Sequence, residues 1–420
     1  MKISKFGHYA LSCFAAVILA GCGGSQPPIA APGATLQSRT VAPALSRVRR
    51  AAGSPYQVLY RFQSHDDGIR PVAGLIDVDG ALYGTTTSGG SSNQGIVYRV
   101  STTGDEKVLH KFGNDSDGAG PSGGLIDVNG TLYGTTARGG SFGSQGGAFY
   151  SISTTGAEKV LHSFKTGADG WSPDGGLVNV NGTLYGITDY GGLGCGSTGC
   201  GTVYRMSATG SETVIYRFKG GSDGADLPQG RLLYVNGALY GTTSLGGNRG
   251  CYYNNGCGTV FSMTTAGKEN WLYRFAGGSD GSYPLGRLID VNGALYGTTT
   301  TGGGSASMGT VYTISKDGIE KVVHRFKGRF GAYRPEAGLI DVKGTLYGTT
   351  ADGGSSDGGT VYSMSSTGKV TVLHNFGGGS DGFQPHSTLL YVNGTLYGTT
   401  YYGGGGGKGT CCGTVFALTL

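Results

Sequence analysis

DVNGTLYGTTARGG, residues Asp127–Gly140, decides how the rest of the chain is read. It holds an Asn-Gly dipeptide, a tyrosine, a glycine inside an otherwise β-prone run, a threonine pair and a double glycine. LYGTT begins again at Leu82, Leu239, Leu295, Leu346 and Leu396, with LYGIT at Leu184. The seven copies are spaced by 50, 52, 55, 56, 51 and 50 residues. A period of that size belongs to a solenoid, a propeller or an array.

Each copy carries four β-type segments. In the second they are GGLIDV (Gly123–Val128), TLYGTT (Thr131–Thr136), GAFYSIS (Gly147–Ser153) and EKVLHSF (Glu158–Phe164). Asn129-Gly130 joins the first two and is the strongest short hairpin signal. A Gly-Gly loop and a Thr-Gly turn make the next two joins. Four short antiparallel strands in ~50 residues make one propeller blade. The strands are apolar on both sides, as a blade packed between neighbours requires, whereas a sandwich would alternate with a wet face. A mid-strand glycine such as Gly134 weakens a strand unless something must approach it closely, and an aromatic ring from the adjoining strand or blade would be that something. The expectation is an all-β, seven-bladed β-propeller of four-stranded antiparallel blades. A linear β-solenoid is the alternative, but its coils are shorter and it needs terminal caps.

The two ends complete each other. Tyr56–Phe62 reads as a fourth strand with no blade before it, and Gly413–Leu420 as a third strand with no fourth after it. Val58–Phe62 is expected to pair with Thr414–Leu418 and close the ring, removing an edge that would otherwise invite aggregation.

Composition supports order. The 420 residues include 86 Gly and 12 Pro, which taken alone would raise disorder, but also 26 Tyr and 15 Phe placed at fixed offsets in every repeat. The N-terminus reads as a targeting segment. Lys2 and Lys5 precede an apolar run, Ala10–Ala20, too short to span a bilayer. Leu19-Ala20-Gly21-Cys22 resembles a bacterial lipobox, which implies cleavage before Cys22 and attachment of lipid, palmitate included, to that residue. With Gly23 and not Asp after the cysteine, the resemblance points to the outer membrane of the cell envelope. The division expected is a signal peptide over 1–21, an anchor and tether over 22–54, and the propeller over 55–420. Loss of residues 1–21 removes two lysines and no acid, so the net charge of +5 falls to +3. That charge, evenly spread, argues against nucleic acid. Arg39, Arg47, Arg49 and Arg50 make the tether mildly basic.

The core pattern GLI-D---G-LYGTT---GG---GTVY, with the fourth-strand segment after it, resembles the GloVer tandem repeats of bacterial surface proteins. The resemblance covers residues 56–420. It implies a propeller-like repeat and placement in the cell envelope, and no particular reaction. Kelch repeats want a Trp in each blade, and only Trp171 and Trp271 exist here.

Up-and-down topology puts the Asn-Gly and Thr-Gly turns on one face of the disc. The Gly-Gly loops and the Asp-Gly…Pro crossovers fall on the other, which is the variable face and the place to look for binding. Its loops are aromatic: Trp171, Tyr190, Tyr252, Tyr253 and Tyr333 stand there, with Tyr283, Phe330, Phe383, Tyr401 and Tyr402. The position after the crossover Pro is the most diversified in the repeat, and Asp174, Glu336 and His386 occupy it in blades 3, 6 and 7. Two residues on, where five blades have small residues, blades 4 and 5 have Arg231 and Arg287. Period-2 geometry sets both positions on one side of the innermost strand, around the mouth of the central channel. In a near-symmetric ring, function shows as departure from the repeat. The ligand-binding candidates are therefore Trp171, Asp174, Tyr190, Arg231, Tyr252, Tyr253, Arg287, Tyr333, Glu336 and His386.

Six cysteines besides Cys22 are an even count for an oxidising compartment. Cys195–Cys200 and Cys251–Cys257 are expected to staple the Gly-Gly loops of blades 3 and 4; adjacent Cys411 and Cys412 are either a vicinal disulfide or two thiols. His110, His162, His324 and His374 share a fourth-strand position with Tyr60, Tyr216 and Tyr273, which reads as an aromatic slot and not a metal site. No metal, no cofactor and no catalytic motif is expected, and the protein is expected to be a monomer. The leading reading is a lipid-anchored module binding a glycan or protein on the variable face. A propeller lyase or hydrolase using the channel-mouth residues, or a purely structural envelope protein, are the alternatives. A deep pocket gathering Asp174, Glu336 and His386 would favour catalysis, and a broad aromatic surface would favour binding.

Overall fold

The computed structural model describes residues 55–63, 66–113, 116–192, 195–224, 230–247, 250–251, 255–328, 331–405 and 411–420. They form seven four-stranded antiparallel sheets arranged as a β-propeller. Blade 1 is typical, with strands Ile76–Val78, Ala81–Thr86, Ile96–Ser101 and Glu106–Lys111. The short first strands of successive blades touch one another and surround the central channel.

The quoted motif explains itself strand by strand. Asn129 and Gly130 both have positive φ, 54° and 81°, as a two-residue hairpin of this twist demands. Gly134 sits opposite Tyr150 of the third strand, and a Cβ there would lie 2.4 Å from the Tyr150 hydroxyl. The same ring lies over the same glycine in every blade, Tyr98 over Gly84, Tyr204 over Gly186, Phe261 over Gly241, Tyr312 over Gly297, Tyr362 over Gly348 and Phe416 over Gly398. The second Thr of the pair is fully buried. Thr136 Oγ1 donates to the Arg138 carbonyl at 2.9 Å, which fixes the start of the Gly-Gly loop, and Thr188, Thr243, Thr299, Thr350 and Thr400 do likewise in their blades.

The core is seven clusters, each shared by two adjacent blades. At every junction the last Phe of one blade meets the third-strand ring of the next. Phe112–Tyr150 is edge-on at 5.2 Å, and Phe62–Tyr98, Phe164–Tyr204, Phe218–Phe261, Phe275–Tyr312, Phe326–Tyr362 and Phe376–Phe416 follow at 5.0–5.5 Å. Such aromatic pairs add to the area they bury.

The termini close the ring. Tyr56–Arg61 is the fourth strand of blade 7, pairing with Cys412–Thr419 from Tyr56↔Leu418 to Arg61↔Thr414, and the Phe62 amide donates to the Gly413 carbonyl at 3.1 Å. The closing ladder carries a bulge at Leu59, as blade 1 does at Leu109. The split blade is thus built like the continuous ones.

A ring of acids stitches the rim. The crossover Asp accepts a bond from the fourth-strand Tyr or His seven residues before it, as in Tyr60–Asp67 at 2.7 Å and Tyr216–Asp223 at 2.8 Å. It also caps an amide four residues back, as Asp223 does for Lys219 at 2.7 Å. The first Glu of the next blade's fourth strand comes against this Asp. Burial first, and the Asp charge second, push Glu106, Glu158, Glu269 and Glu320 up to about 7; Glu212, which shares a proton with Asp169, rises to about 8. Blade 6 lacks both partners, since Phe330 replaces the Asp and Val370 the Glu. In blade 7 Tyr56 replaces the Glu, stacks on His374 at 3.6 Å and donates to the Asp381 carbonyl at 2.7 Å.

Two outcomes are expected. Deletion of residues 55–63 strips the outer strand from blade 7, and thermal melting of the whole ring is expected at a sharply lower temperature; an unchanged curve would mean the ends do not close it. The acid ring makes stability depend on pH. A carboxyl raised in the fold stabilises below its unfolded pKa of ~4.5, and that contribution is lost as pH rises through about 7–8. His110 and His324, held low mainly by burial, act oppositely but only below ~6.5. The melting temperature is therefore expected to fall between pH 6.5 and 8.5, and to fall less when Glu106, Glu158, Glu269 and Glu320 are all replaced by Gln. Equal slopes in the two proteins would remove the acid ring as the cause.

Candidate functional site

Among the described residues, the variable face is assembled by pairing the crossovers with their own Gly-Gly loops. Ile69 bridges Ser88, Ala119 bridges Arg138, Trp171 bridges Tyr190, Ser282 bridges Thr301 and Phe383 bridges Tyr402; in blade 6 Ala332–Tyr333 pairs with Asp352–Gly353. The residue before the crossover Pro is turned out by this pairing. Arg70, Ser172, Tyr283, Arg334 and Gln384 all have φ between 55° and 61°. A residue before proline ordinarily prefers extended backbone, and a side chain at positive φ costs roughly 1–3 kcal/mol. Each is held there by its amide, which donates to a carbonyl of the preceding blade, as Arg334 does to Met308 at 3.0 Å.

The candidate residues fall into two groups. Asp174, Arg231, Arg287, Glu336 and His386, from five different blades, line one cavity of about 310 Å³ in the channel. It opens on the variable face into a mouth of about 460 Å³ lined by Val72, Ser122, Asp174, Leu285, Glu336, Gln384, His386, Tyr401 and Tyr402. Trp171, Tyr190 and Tyr333 stand outside both cavities. Trp171 stacks on Tyr190 at 4.4 Å, and Tyr333 donates to Asp357 at 2.8 Å. Tyr252 and Tyr253 lie outside the described residues, as do Cys22 and the tether.

Two kinds of acid face the channel. Glu336 is gripped by His386 Nδ1 on one side and Arg334 on the other, and Arg334 continues to Asp352, which accepts from Gln384 at 3.1 Å. Burial works to raise the Glu336 pKa, but the hydrogen bonds and attraction from His386 and Arg334 outweigh it and hold the carboxylate low. Asp174 is different. Burial pushes it up to about 6, and Asp189 behind it is raised well above its usual range by burial and then by the Asp174 charge. This pair therefore holds protons at pH values where Glu336 is ionised.

Tyr401 is the aromatic wall of the mouth. It lies 5.2 Å from the His386 ring and 4.5 Å from Tyr402, with the Arg70 guanidinium 5.6 Å from its centroid. Arg334, Asp352 and Gln384 were missed by sequence reasoning, and Tyr401 and Tyr402 were not singled out from the other loop aromatics. One signal existed, because the pre-proline position varies as much as the post-proline one. His162, Asp169 and Glu212 bring their ligand atoms within 4.8 Å of one another. The same three places hold Tyr60, Asp67 and Glu106 two junctions earlier, which marks the group as rim stitching. The fourth-strand His and Tyr rings pack edge-on against the Phe two residues on.

Disulfides join Cys195–Cys200 and Cys251–Cys257 within the two loops, and Cys411–Cys412 at the head of the last strand.

A model of the Gloeobacter/Verrucomicrobia repeat matches residues 44–197 and 193–412. No curated protein matches the sequence. Among solved structures, virginiamycin B lyase from Staphylococcus aureus superposes with a TM-score of 0.56 at 14% identity, covering 87% of this chain and 99% of its own. A gluconolactonase from Xanthomonas campestris gives 0.41 at 15% identity over 73% and 88%. An aldose sugar dehydrogenase from Streptomyces coelicolor gives 0.42 at 14% over 74% and 97%. At 14% identity the likeness to the lyase is one of fold.

Closing loops as short as these two stabilises by about 2 kcal/mol at most in the chain-entropy view. Replacing Cys195 and Cys200 by Ser is expected to lower the melting temperature slightly and raise hydrogen exchange in that loop alone. Four free thiols in an unreduced digest at Cys195, Cys200, Cys251 and Cys257 would rule the staples out.

Proposed function

The chain belongs to the Gloeobacter/Verrucomicrobia repeat family, and from that premise we propose that it is an envelope lipoprotein, anchored through lipid on Cys22 to the outer membrane, whose propeller binds a glycan in the mouth of its channel. One observation carries the reading: the aromatic wall of Tyr401 and Tyr402 shares a cavity with the polar ring of Asp174, Glu336 and His386. An apolar ring plane beside converging donors and acceptors is what a pyranose requires of a site. Glu336, fixed between His386 and Arg334, is a preorganised acceptor for sugar hydroxyls. A mouth of about 460 Å³ has room for one or two sugar units and is small for a protein epitope.

Acid–base catalysis is a second reading, favoured by Asp174, which burial raises to about 6 and which lines the same cavity as an ionised Glu336. A proton donor and an ionised carboxylate in one pocket are the elements of general acid–base chemistry.

A glycan-array screen of the full chain tests both. A defined set of glycans is expected to bind, and replacing Tyr401 and Tyr402 by Ala is expected to weaken binding at least fivefold, or more than about 1 kcal/mol, without lowering the melting temperature. Incubation of each bound glycan with wild type and Asp174→Asn separates the readings: product formed by the wild type alone establishes catalysis. No bound glycan, or binding indifferent to both tyrosines, overturns the proposal.

A further inference from the structure

The waist of the channel holds two neighbouring positive charges, Arg231 and Arg287. At this level the first strands present Gly74, Gly124, Gly176, Gly338 and Thr388 from five blades, and Arg231 and Arg287 from the adjacent blades 4 and 5. The bare positions make room for the two long side chains. A Cβ on Gly338 would fall 2.5 Å from Arg287 Cγ, and one on Gly176 3.8 Å from Arg231 Cβ. Arg231 also lines the cavity of about 590 Å³ that opens on the hairpin face, so it stands between the two ends of the channel.

Neither guanidinium makes an ion pair among the described residues, and Arg287 Nε is buried without a hydrogen-bond partner. Of the acids that line the cavities with them, Glu336 is committed to His386 and Arg334, while Asp174, Asp77 and Asp127 make no ion pair with either arginine among the described residues. Burial lowers both arginines, Arg231 to about 10 with the Arg287 charge as its second cause. Folding alone gives no return for this arrangement. Like charges in a half-enclosed channel repel, and each donor withdrawn from water costs free energy until it is paired. A glycine at either position, as four other blades have, would have avoided both costs.

We propose that Arg231 and Arg287 form an oxyanion site at the waist of the channel, and that the glycan bound at the mouth is an acidic one whose carboxylate or phosphate reaches down to them. The class follows from the donors, since two planar guanidiniums match the paired oxygens of a carboxylate or phosphate and a neutral sugar leaves them unpaired. The proposal rests on the glycan reading for its source of the anion, but the anion site itself does not.

Calorimetry and thermal melting of the full chain test it with three probes: a trigalacturonate, the neutral galactotriose and inorganic phosphate. Trigalacturonate is expected to bind at least tenfold more tightly than galactotriose, and Arg231→Gln with Arg287→Gln to remove that preference. Without ligand, at low salt, the double Gln variant is expected to melt no lower than wild type, because it relieves a repulsion; that also shows that it folds. Phosphate is expected to raise the melting temperature of the wild type only. Phosphate binding lost in the Gln variant, with neither sugar bound, would keep the anion site and remove the glycan reading. Equal binding of the two sugars, unchanged in the Gln variant, would overturn the oxyanion site and keep the glycan reading. No probe bound by the wild type would overturn it as well.

Discussion

The structure depends on an aromatic ring lying over a bare glycine. In each blade the third-strand Tyr or Phe covers the mid-strand Gly of its neighbour, and a Phe from the preceding blade meets that ring edge-on. Any side chain at the glycine would lift the ring, and a lifted ring would part the blades. The glycine thus gives up strand stability so that the inter-blade contact can form. Seven such contacts, one per junction, do for this molecule what a single central core does for other folds. Because each cluster belongs to two blades, no blade has a complete core by itself, and the ring must close for the first and last to be satisfied.

That dependence explains why the ends matter. The outer strand of blade 7 is the first to be made and the third the last, and Phe62 at the end of the former supplies the ring contact for Tyr98 of blade 1. The rim acids repeat this logic in polar form. Five crossover Asp residues lean on a Glu of the next blade, so these junctions are bonded at the rim as well as packed inside. The sixth repeat loses both acids, with Phe330 where the Asp would stand and Val370 where the Glu would, and in blade 7 Tyr56 takes the place of the Glu and bonds the Asp381 carbonyl.

Function, by contrast, occupies what the repeat leaves free. The shared residues are consumed by the glycine–aromatic contact, the buried threonines and the hairpins. The channel wall and the variable face are not required by any junction, and there the blades differ. Blades 4 and 5 send arginines to the waist, blades 6 and 7 build the Asp352–Arg334–Glu336–His386 network, and blade 3 sets two carboxyls together. The strained backbone at Arg70, Ser172, Tyr283, Arg334 and Gln384 presents side chains to this face and is offset by amide bonds to the blade behind.

The sequence by itself determined the blade, the number of blades and the closure, because these rest on local chemistry copied seven times: a turn that needs Asn-Gly, a strand that needs a glycine, ends that lack what the other has. It also determined which face varies, through strand count and turn type, and it placed Asp174, Arg231, Arg287, Glu336 and His386 on one wall through the period of a strand. Only the tertiary structure decided which candidates share a cavity. Trp171, Tyr190 and Tyr333 break the repeat as clearly as Asp174 does, yet they stack or bond within their own loops, and no linear pattern distinguishes a ring that faces a channel from one that faces its neighbour. Nor did the text announce that Arg334 would bridge Asp352 and Glu336, or that burial beside an aspartate would push Glu106 and its equivalents up to about 7 or 8. Those outcomes depend on distances between blades some 50 residues apart, which the repeat spacing implies only as order around a ring and the packing fixes in ångströms.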